Sequence, residues 1–221
     1  MKRKKPTAFA IFAHPDDESF GPGGTIALLT KTHDVYLICA TKGEAGEDHT
    51  GNKDPLPQKR EKEVLVAAKI LGIQNVFFLG YLDGELNNNN YHAIAKKIET
   101  LTDIYKPELF ITYENRGISG HIDHIAISMI ASYVFYKSNH VKELHYFCID
   151  EEQRGTGQTY FVFFPPGYKN EEISKRVDIT PFLNQKIEAI KAHKSQIRDV
   201  EEMLKRHKEK RVEECFIILK K

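Results

Sequence analysis

The sequence predicts an α/β fold, a three-layer sandwich on a mostly parallel sheet, with extra strands and helices added by the C-terminal third. Two observations carry this. Short apolar runs alternate with longer stretches of helical spacing, and the alternation holds for about two thirds of the chain before it breaks. Strands separated by helices of this length form βαβ crossovers, which cover a parallel sheet on both faces.

Thr7–Ala13 is apolar throughout and is expected to be a buried strand, with Thr25–Lys31 as the helix behind it. Val35–Ala40 is a second strand. Pro57–Gly72 carries Val64, Leu65, Ala68 and Leu71 at helical spacing and closes on Gly72, a residue suited to a C-terminal cap. Val76–Leu79 is a third strand, Tyr91–Tyr105 a helix stopped by Pro107, and Leu109–Tyr113 a fourth strand. Ile122–Tyr136 is helical and Leu144–Ile149 is a fifth strand. In the last third, Tyr160–Phe164 and Cys215–Leu219 are expected as further strands. Thr180 as N-cap and Pro181 at the first helical position start a helix over Phe182–Ser195. The mixed charges of Arg198–Arg211 suit a solvated helix face. No internal repeat or low-complexity linker interrupts the chain, so a single domain over residues 1–221 is expected.

A chain of 221 residues buries roughly 70–75% of its unfolded surface and needs no disulfide staple. Lys and Arg number 32 against 31 Asp and Glu, a net charge of +1, which gives no electrostatic basis for a nucleic-acid partner. Cys39, Cys148 and Cys215 each lie in an apolar run and are expected to be reduced and buried. The basic start Met1–Lys5 is followed by only Ala8–Ala13 before acidic residues, too short for a signal sequence. No apolar stretch approaches a membrane span. A cytoplasmic location is expected.

The chain holds 10 histidines, and two dense His/Asp clusters stand out among them. Open α/β sheets bind ligands beyond the carboxyl ends of strands where the strand order reverses. With order 3-2-1-4-5, the first and fourth strands are neighbours at that point. The segments leaving them are His14-Pro15-Asp16-Asp17-Glu18 and Gly120-His121-Ile122-Asp123-His124. Three consecutive acids after a buried strand require a cation or donors to compensate them. His14 and Asp17 stand three apart, as do His121 and His124, a spacing that places two ligands of one metal on one face. Each cluster alone also fits a helix N-cap or surface histidines at a helix start. Two His and one Asp would leave the fourth zinc position for water, which marks a catalytic site. Gly21–Thr25 lacks the lysine of a phosphate loop and suits a tight turn, whose helix N-terminal amides would hold a carboxylate.

Ala13–Glu18 with Gly23-Gly24-Thr25, then Thr41–Gly46, then Gly120–His124 together resemble the LmbE-like (PIG-L) de-N-acetylase family. Arg60-x-x-Glu63 with Ala67-Ala68 and Leu71-Gly72, and Lys191–Gln196, extend the resemblance over residues 8 to 196. It implies a Rossmann-like domain that removes acetyl groups from N-acetylglucosamine-type amino sugars or their conjugates with one divalent ion, usually zinc. Carried over by position, His14, Asp17 and His124 would bind the metal and Asp16 would be the general base. His121 would stabilise the oxyanion or protonate the leaving amine, as an imidazolium kept charged by Asp123. Arg60 and Asp83 would hold the sugar, and His193 would close the pocket. One departure is Ser119, where a branch of the family carries tyrosine as oxyanion donor; either Tyr113 replaces it or His121 acts alone. The resemblance also implies a small-molecule substrate and allows a homo-oligomer. Variable loops such as Glu47–Pro57 and Gly84–Asn90 would set the aglycone.

Two other readings compete with this one. A non-catalytic metal- or sugar-binding protein would keep the pocket but would not need the base Asp16 or the acid His121. A metal phosphoesterase would want a second metal about 3.5–4 Å away, for which the sequence offers few spare ligands.

Overall fold

The computed structural model describes residues 4–51, 53–154, 162–209 and 212–221. Its elements run β1 (Thr7–Phe12), α1 (Asp17–Phe20), α2 (Gly23–Leu29), β2 (Asp34–Cys39), α3 (Leu56–Leu71), β3 (Asn75–Phe78) and α4 (Tyr91–Tyr105). They continue through β4 (Leu109–Tyr113), α5 (Gly117–Gly120), α6 (Ile122–Lys137), β5 (Glu143–Cys148), β6 (Lys175–Asp178), α7 (Leu183–Ala192), α8 (Ile197–Glu209) and β7 (Glu213–Lys220). One mixed sheet holds the strands in the order β3-β2-β1-β4-β5-β7-β6. The first five are parallel in the expected order, whereas β7 runs antiparallel to β5 and β6 antiparallel to β7.

The central strand explains its own composition. Ala8 to Phe12 are all fully buried, as a strand covered on both faces requires, so the run is apolar without alternation. Helices α2, α3 and α7 pack together as one layer, and α4 packs with α6 in the other. Phe9 and Phe110 stack across β1 and β4 at 5.9 Å between ring centroids, extending into Tyr36 and Tyr105. Helix α3 ends where Gly72 takes a left-handed conformation at φ 85°, the cap expected of it. Lys106 ends α4 in the same way, just before Pro107.

The carboxyl ends of β1 and β4 form the functional crevice. Pairing of β1 with β2 continues to Phe12↔Cys39, but pairing of β1 with β4 stops at Ala10↔Ile111. Beyond that point the Thr112 hydroxyl donates to the Ile11 carbonyl at 2.8 Å, and the two chains then leave in opposite layers. This is the switch point of a doubly wound sheet.

The C-terminal third departs from expectation at one strand. Tyr160 and Phe161 lie outside the described residues, and Val162–Phe164 form no strand. The additional strand is β6, Lys175–Asp178, at the sheet edge, where only Val177 is buried. An edge strand needs no continuous apolar run, which is why Lys-Arg-Val-Asp gave no strand signal. The Phe182–Ser195 helix is shorter than expected, α7 ending at Ala192, and the Asp178 carboxylate rather than Thr180 accepts the first N–H, that of Thr180, at 2.8 Å.

Strand β7 ties the chain's end to its beginning. The Glu214 carboxylate accepts the Gly24 and Thr25 amides of α2 at 2.9 and 2.7 Å. The carboxylate these amides hold is therefore not a candidate metal ligand of the neighbouring loop but that of Glu214, 190 residues downstream. Lys186 of α7 pairs with Glu214 at 2.7 Å and also donates to the Gly21 carbonyl. Gly24 must be glycine because a Cβ there would lie 2.6 Å from Ile179. Replacing Glu214 by Ala leaves a buried lysine without its partner, so Glu214→Ala should cost about 3–5 kcal/mol in urea unfolding. A loss below about 1 kcal/mol would show that the C-terminal strand is not anchored through this pair.

Candidate metal and catalytic site

The two His/Asp segments meet in the crevice. Leaving β1, the chain turns so tightly that the His14 N–H donates to the Asp17 carboxylate at 2.7 Å. Asp16 sits at φ 102°, a conformation that L side chains rarely adopt and that persists only when its surroundings dictate it. They do: its N–H donates to Glu18 at 3.1 Å, and its carbonyl accepts the Ser19 and Phe20 amides at 2.9 and 2.8 Å.

Three atoms converge beyond this turn. His14 Nδ1 lies 3.2 Å from His124 Nε2 and 3.6 Å from Asp17 Oδ2, while His124 Nε2 lies 3.4 Å from Asp17 Oδ1. Each ligand is also held from behind. The other ring nitrogen of His14 faces Asp83 at 2.8 Å and Asp123 at 3.3 Å, and His124 Nδ1 faces the Gly117 carbonyl at 3.1 Å. The latter contact protonates Nδ1 and leaves the Nε2 lone pair pointing inward. Tyr113 stacks on the His124 ring at 4.1 Å. Two imidazole nitrogens and one carboxylate oxygen with outer-shell partners suit a divalent transition metal with an open position. A second grouping, His14 with His121 and Asp123, shares His14 with the first. It is the poorer candidate because the Asp123 carboxylate already accepts the Gly84 and Leu86 amides at 2.8 and 3.1 Å.

The ionisation of the three groups reflects their crowding. Burial favours the neutral His14 ring, but hydrogen bonds to Asp123 and Asp83 and the charge of Asp17 outweigh it and push the pKa up to about 10. Burial holds His124 down to about 4 despite Asp17. Asp17 stays below the usual carboxylate range because the two histidines outweigh its own burial.

Asp16 points away from the three ligands, and its carboxylate accepts Arg60 Nη2 at 2.8 Å. Arg60 itself is only 4% exposed, and it also donates to the Pro15 carbonyl at 2.6 Å and the Gly43 carbonyl at 3.0 Å. Gly43 and Gly46 make room for it, since a Cβ at either would come within 2.2 and 2.7 Å of the guanidinium. Burial raises the Asp16 pKa to about 7, with Arg60 opposing the rise. Arg60 was expected to hold the sugar; its guanidinium lies on the Asp16 turn, bonded to Asp16 and to the Pro15 and Gly43 carbonyls.

Three other expectations shift in detail. His193 is fully buried, with Nε2 2.9 Å from Glu18, so it braces the turn from behind. Asp83 was expected on the sugar, and its Oδ1 contacts His14. Asp123 orients a histidine, but that histidine is His14; toward His121 it offers its backbone N–H, which donates to His121 Nδ1 at 3.1 Å. That bond caps α6 and makes Nε2 the protonated nitrogen of a neutral His121 ring. Burial, reinforced by the His14 charge, holds the His121 pKa below its ordinary value. At the departure from the family pattern, the Ser119 hydroxyl is buried without a partner, and Tyr113 lies beside Asp17, which pushes its phenol pKa up along with burial. Sequence reasoning gave Glu18 no role of its own within the acidic cluster and missed Glu114. The buried Glu114 accepts the Arg116 and Ile118 amides, each at 2.7 Å, and the Tyr168 hydroxyl at 2.6 Å, shaping the strained loop before His121. No spacing signal marks either residue, because their partners are backbone amides or distant side chains.

The chain is similar to known deacetylases over most of its length. Residues 9–135, which hold all three candidate ligands, match the family described as PIG-L, GlcNAc-PI de-N-acetylase. A probable N-acetyl-α-D-glucosaminyl L-malate deacetylase 2 of Bacillus subtilis is 30% identical over 216 residues, spanning 91% of this chain and 90% of that protein. A 1D-myo-inositol 2-acetamido-2-deoxy-α-D-glucopyranoside deacetylase of Mycobacteroides abscessus is 28% identical over 85% of this chain and 80% of its own. In fold, the chain resembles the N,N'-diacetylchitobiose deacetylase of Pyrococcus horikoshii with a TM-score of 0.74 at 22% identity, covering 97% of this chain and 84% of that one. With its matched span centred on the crevice just described, the chain belongs to the PIG-L (GlcNAc-PI de-N-acetylase) family.

Proposed function

We propose that this protein is a zinc-dependent N-deacetylase that hydrolyses the acetamide of an N-acetylglucosamine-type sugar or its conjugate. One observation carries the reading: the inward-facing atoms of His14, Asp17 and His124 converge within 4.8 Å of one another, while Asp16 is held on the same turn with a carboxylate of its own. One divalent ion bound by those three residues supplies Lewis acidity, acidifying water and polarising the acetyl carbonyl. The chain does the rest. Asp16, with a pKa near neutrality and a fixed carboxylate, accepts the proton of the attacking water. Arg60 keeps that carboxylate aimed. His121, neutral and protonated on Nε2, donates a hydrogen bond to the oxygen on which charge develops, and Asp16 returns the proton taken from water to the departing amine. His14 and His124 keep their orientation through Asp83, Asp123 and the Gly117 carbonyl, so the site does not reorganise as charge builds.

The substrate is a small molecule and the compartment is the cytoplasm, a reading supported by three buried cysteines at positions 39, 148 and 215 that form no disulfide with one another. No helix among the described residues is long and apolar enough to cross a membrane. A non-catalytic binder would have no use for a base held by a buried arginine. A two-metal phosphoesterase lacks an independent second ligand set among the described residues, since the other grouping borrows His14.

The test is release of free amine from N-acetylglucosamine conjugates. Asp16→Asn should still bind one zinc per chain, measured by metal analysis, and lose roughly 10²–10⁴-fold in kcat; unchanged turnover would remove Asp16 as the base. Removing metal with a chelator should abolish activity, and one equivalent of zinc should restore it. A requirement for two equivalents would favour the phosphoesterase reading. Arg60→Lys should lower kcat by about tenfold or more with KM little changed, because an ammonium cannot span the Pro15 carbonyl, Asp16 and the Gly43 carbonyl. A rise confined to KM would mean that Arg60 touches the sugar.

A further inference from the structure

We infer that the aglycone subsite of this enzyme takes an apolar group, so that the preferred substrate is an amino sugar carrying an alkyl or aryl chain rather than an acid or a polyol. The inference rests on the deacetylase reading and extends it to the part of the substrate that does not react. A cavity of about 670 Å³ opens beside His121, Asp123 and Gly84, and the His121 ring lies 4.6 Å from that of His14, so the cavity continues directly from the catalytic crevice. Its far wall is apolar: Ile122, Ile125, Val162, Phe163 and Pro165. Three of these present most of their surface to solvent, Ile122 at 66%, Phe163 at 67% and Val162 fully. Large apolar side chains gathered on one rim of a catalytic cleft mark a surface that is covered in use.

The loop bearing this wall is fixed to the catalytic segment. The Phe163 carbonyl lies so close to Gly120 that a Cβ there would come within 2.2 Å of it, and Gly120 immediately precedes His121. Whatever occupies the wall therefore lies within one residue of the proposed oxyanion donor.

Charge argues against an anionic aglycone. Arg116 is the one Lys or Arg among the lining residues, and it is engaged elsewhere. Its guanidinium lies 3.7 Å over the Tyr168 ring, and its Nε lies 3.4 Å from the Glu114 carboxylate. The preceding stretch of sequence, Gly155-Thr156-Gly157-Gln158-Thr159-Tyr160-Phe161, contains no charged residue. Asp123 and the nearby Asp83 add negative charge, and no Lys or Arg among the described lining residues besides Arg116 stands on the apolar wall to pair with a carboxylate on the aglycone.

The test compares four substrates with the zinc-loaded enzyme: N-acetylglucosamine, its L-malate conjugate, its myo-inositol conjugate and its octyl glycoside. The octyl glycoside should show a kcat/KM at least tenfold above each of the others, a factor equivalent to about 1.4 kcal/mol. In the double variant Val162→Ser, Phe163→Ser, the ratio of octyl glycoside to free sugar should fall toward one; thermal unfolding confirms that these exposed substitutions leave the fold intact. Binding of the deacetylated product, octyl glucosaminide, by calorimetry should show the same tenfold preference over glucosamine malate and the same loss. A malate or inositol conjugate turned over best, or an octyl preference that survives the double variant, overturns the inference while leaving the deacetylase in place. Amine release from none of the four overturns the deacetylase reading itself, and the inference with it.

Discussion

Buried negative charge is the constraint on which the rest of this structure depends. Asp17, Glu18 and Asp123 are buried, and Asp16 and Asp83 stand beside them, all at the carboxyl ends of β1 and its neighbours. Desolvated carboxylates at such density repel one another and are costly unless donors or cations compensate each of them. The surrounding molecule can be read as that compensation. Backbone amides of Gly84 and Leu86 bind Asp123, Arg60 binds Asp16, His193 binds Glu18, and His14 stands among Asp17, Asp83 and Asp123. Among the described residues, His14, Asp17 and His124 form a group beside these carboxylates that could hold a divalent cation.

The same constraint explains why distant parts of the chain are recruited. Arg60 comes from α3, across the β2 loop, and needs glycines at 43 and 46 to reach Asp16. His193 comes from the end of α7, and α7 is itself held down by the Lys186–Glu214 pair. The C-terminal strand thereby supports the catalytic turn without contributing an atom to it. Strain at Asp16 is tolerated because Glu18, Arg60 and two backbone contacts leave it no alternative.

Much of this was legible in the sequence, for identifiable reasons. The five parallel strands and their order were readable because a doubly covered strand must be apolar throughout, as β1 is. The grouping of His14, Asp17 and His124 was readable because i, i+3 spacing within one turn is local, and because strand order brings two such turns together. What was not readable was the choice of partner. That the Arg60 guanidinium bonds Asp16, that the Asp123 carboxylate faces His14, and that His193 faces Glu18 are all matters of side-chain direction, which no spacing encodes. Strand β6 was missed for a different reason: an edge strand with one buried residue has almost no hydrophobic signature. The N-capping role of His121 was not readable because it depends on the backbone of Asp123, two residues on.

A division of labour follows from where the residues lie. The ligands, Asp16, Arg60, Asp83, His121 and Asp123 all fall within the family-matched span of residues 9–135, whereas Val162, Phe163 and Pro165 fall after it. The chemistry is therefore carried by the doubly wound half, whose turns are constrained by buried charge and have little freedom to vary. The wall of the neighbouring cavity is carried by a connection between β5 and β6 that bears no such load. Its apolar residues are paid no structural return by the core, since Val162 and Phe163 face outward. Apolar side chains with no part in folding and a fixed place beside His121 are best accounted for by the substrate, and that assigns specificity to the segment whose sequence the fold leaves free.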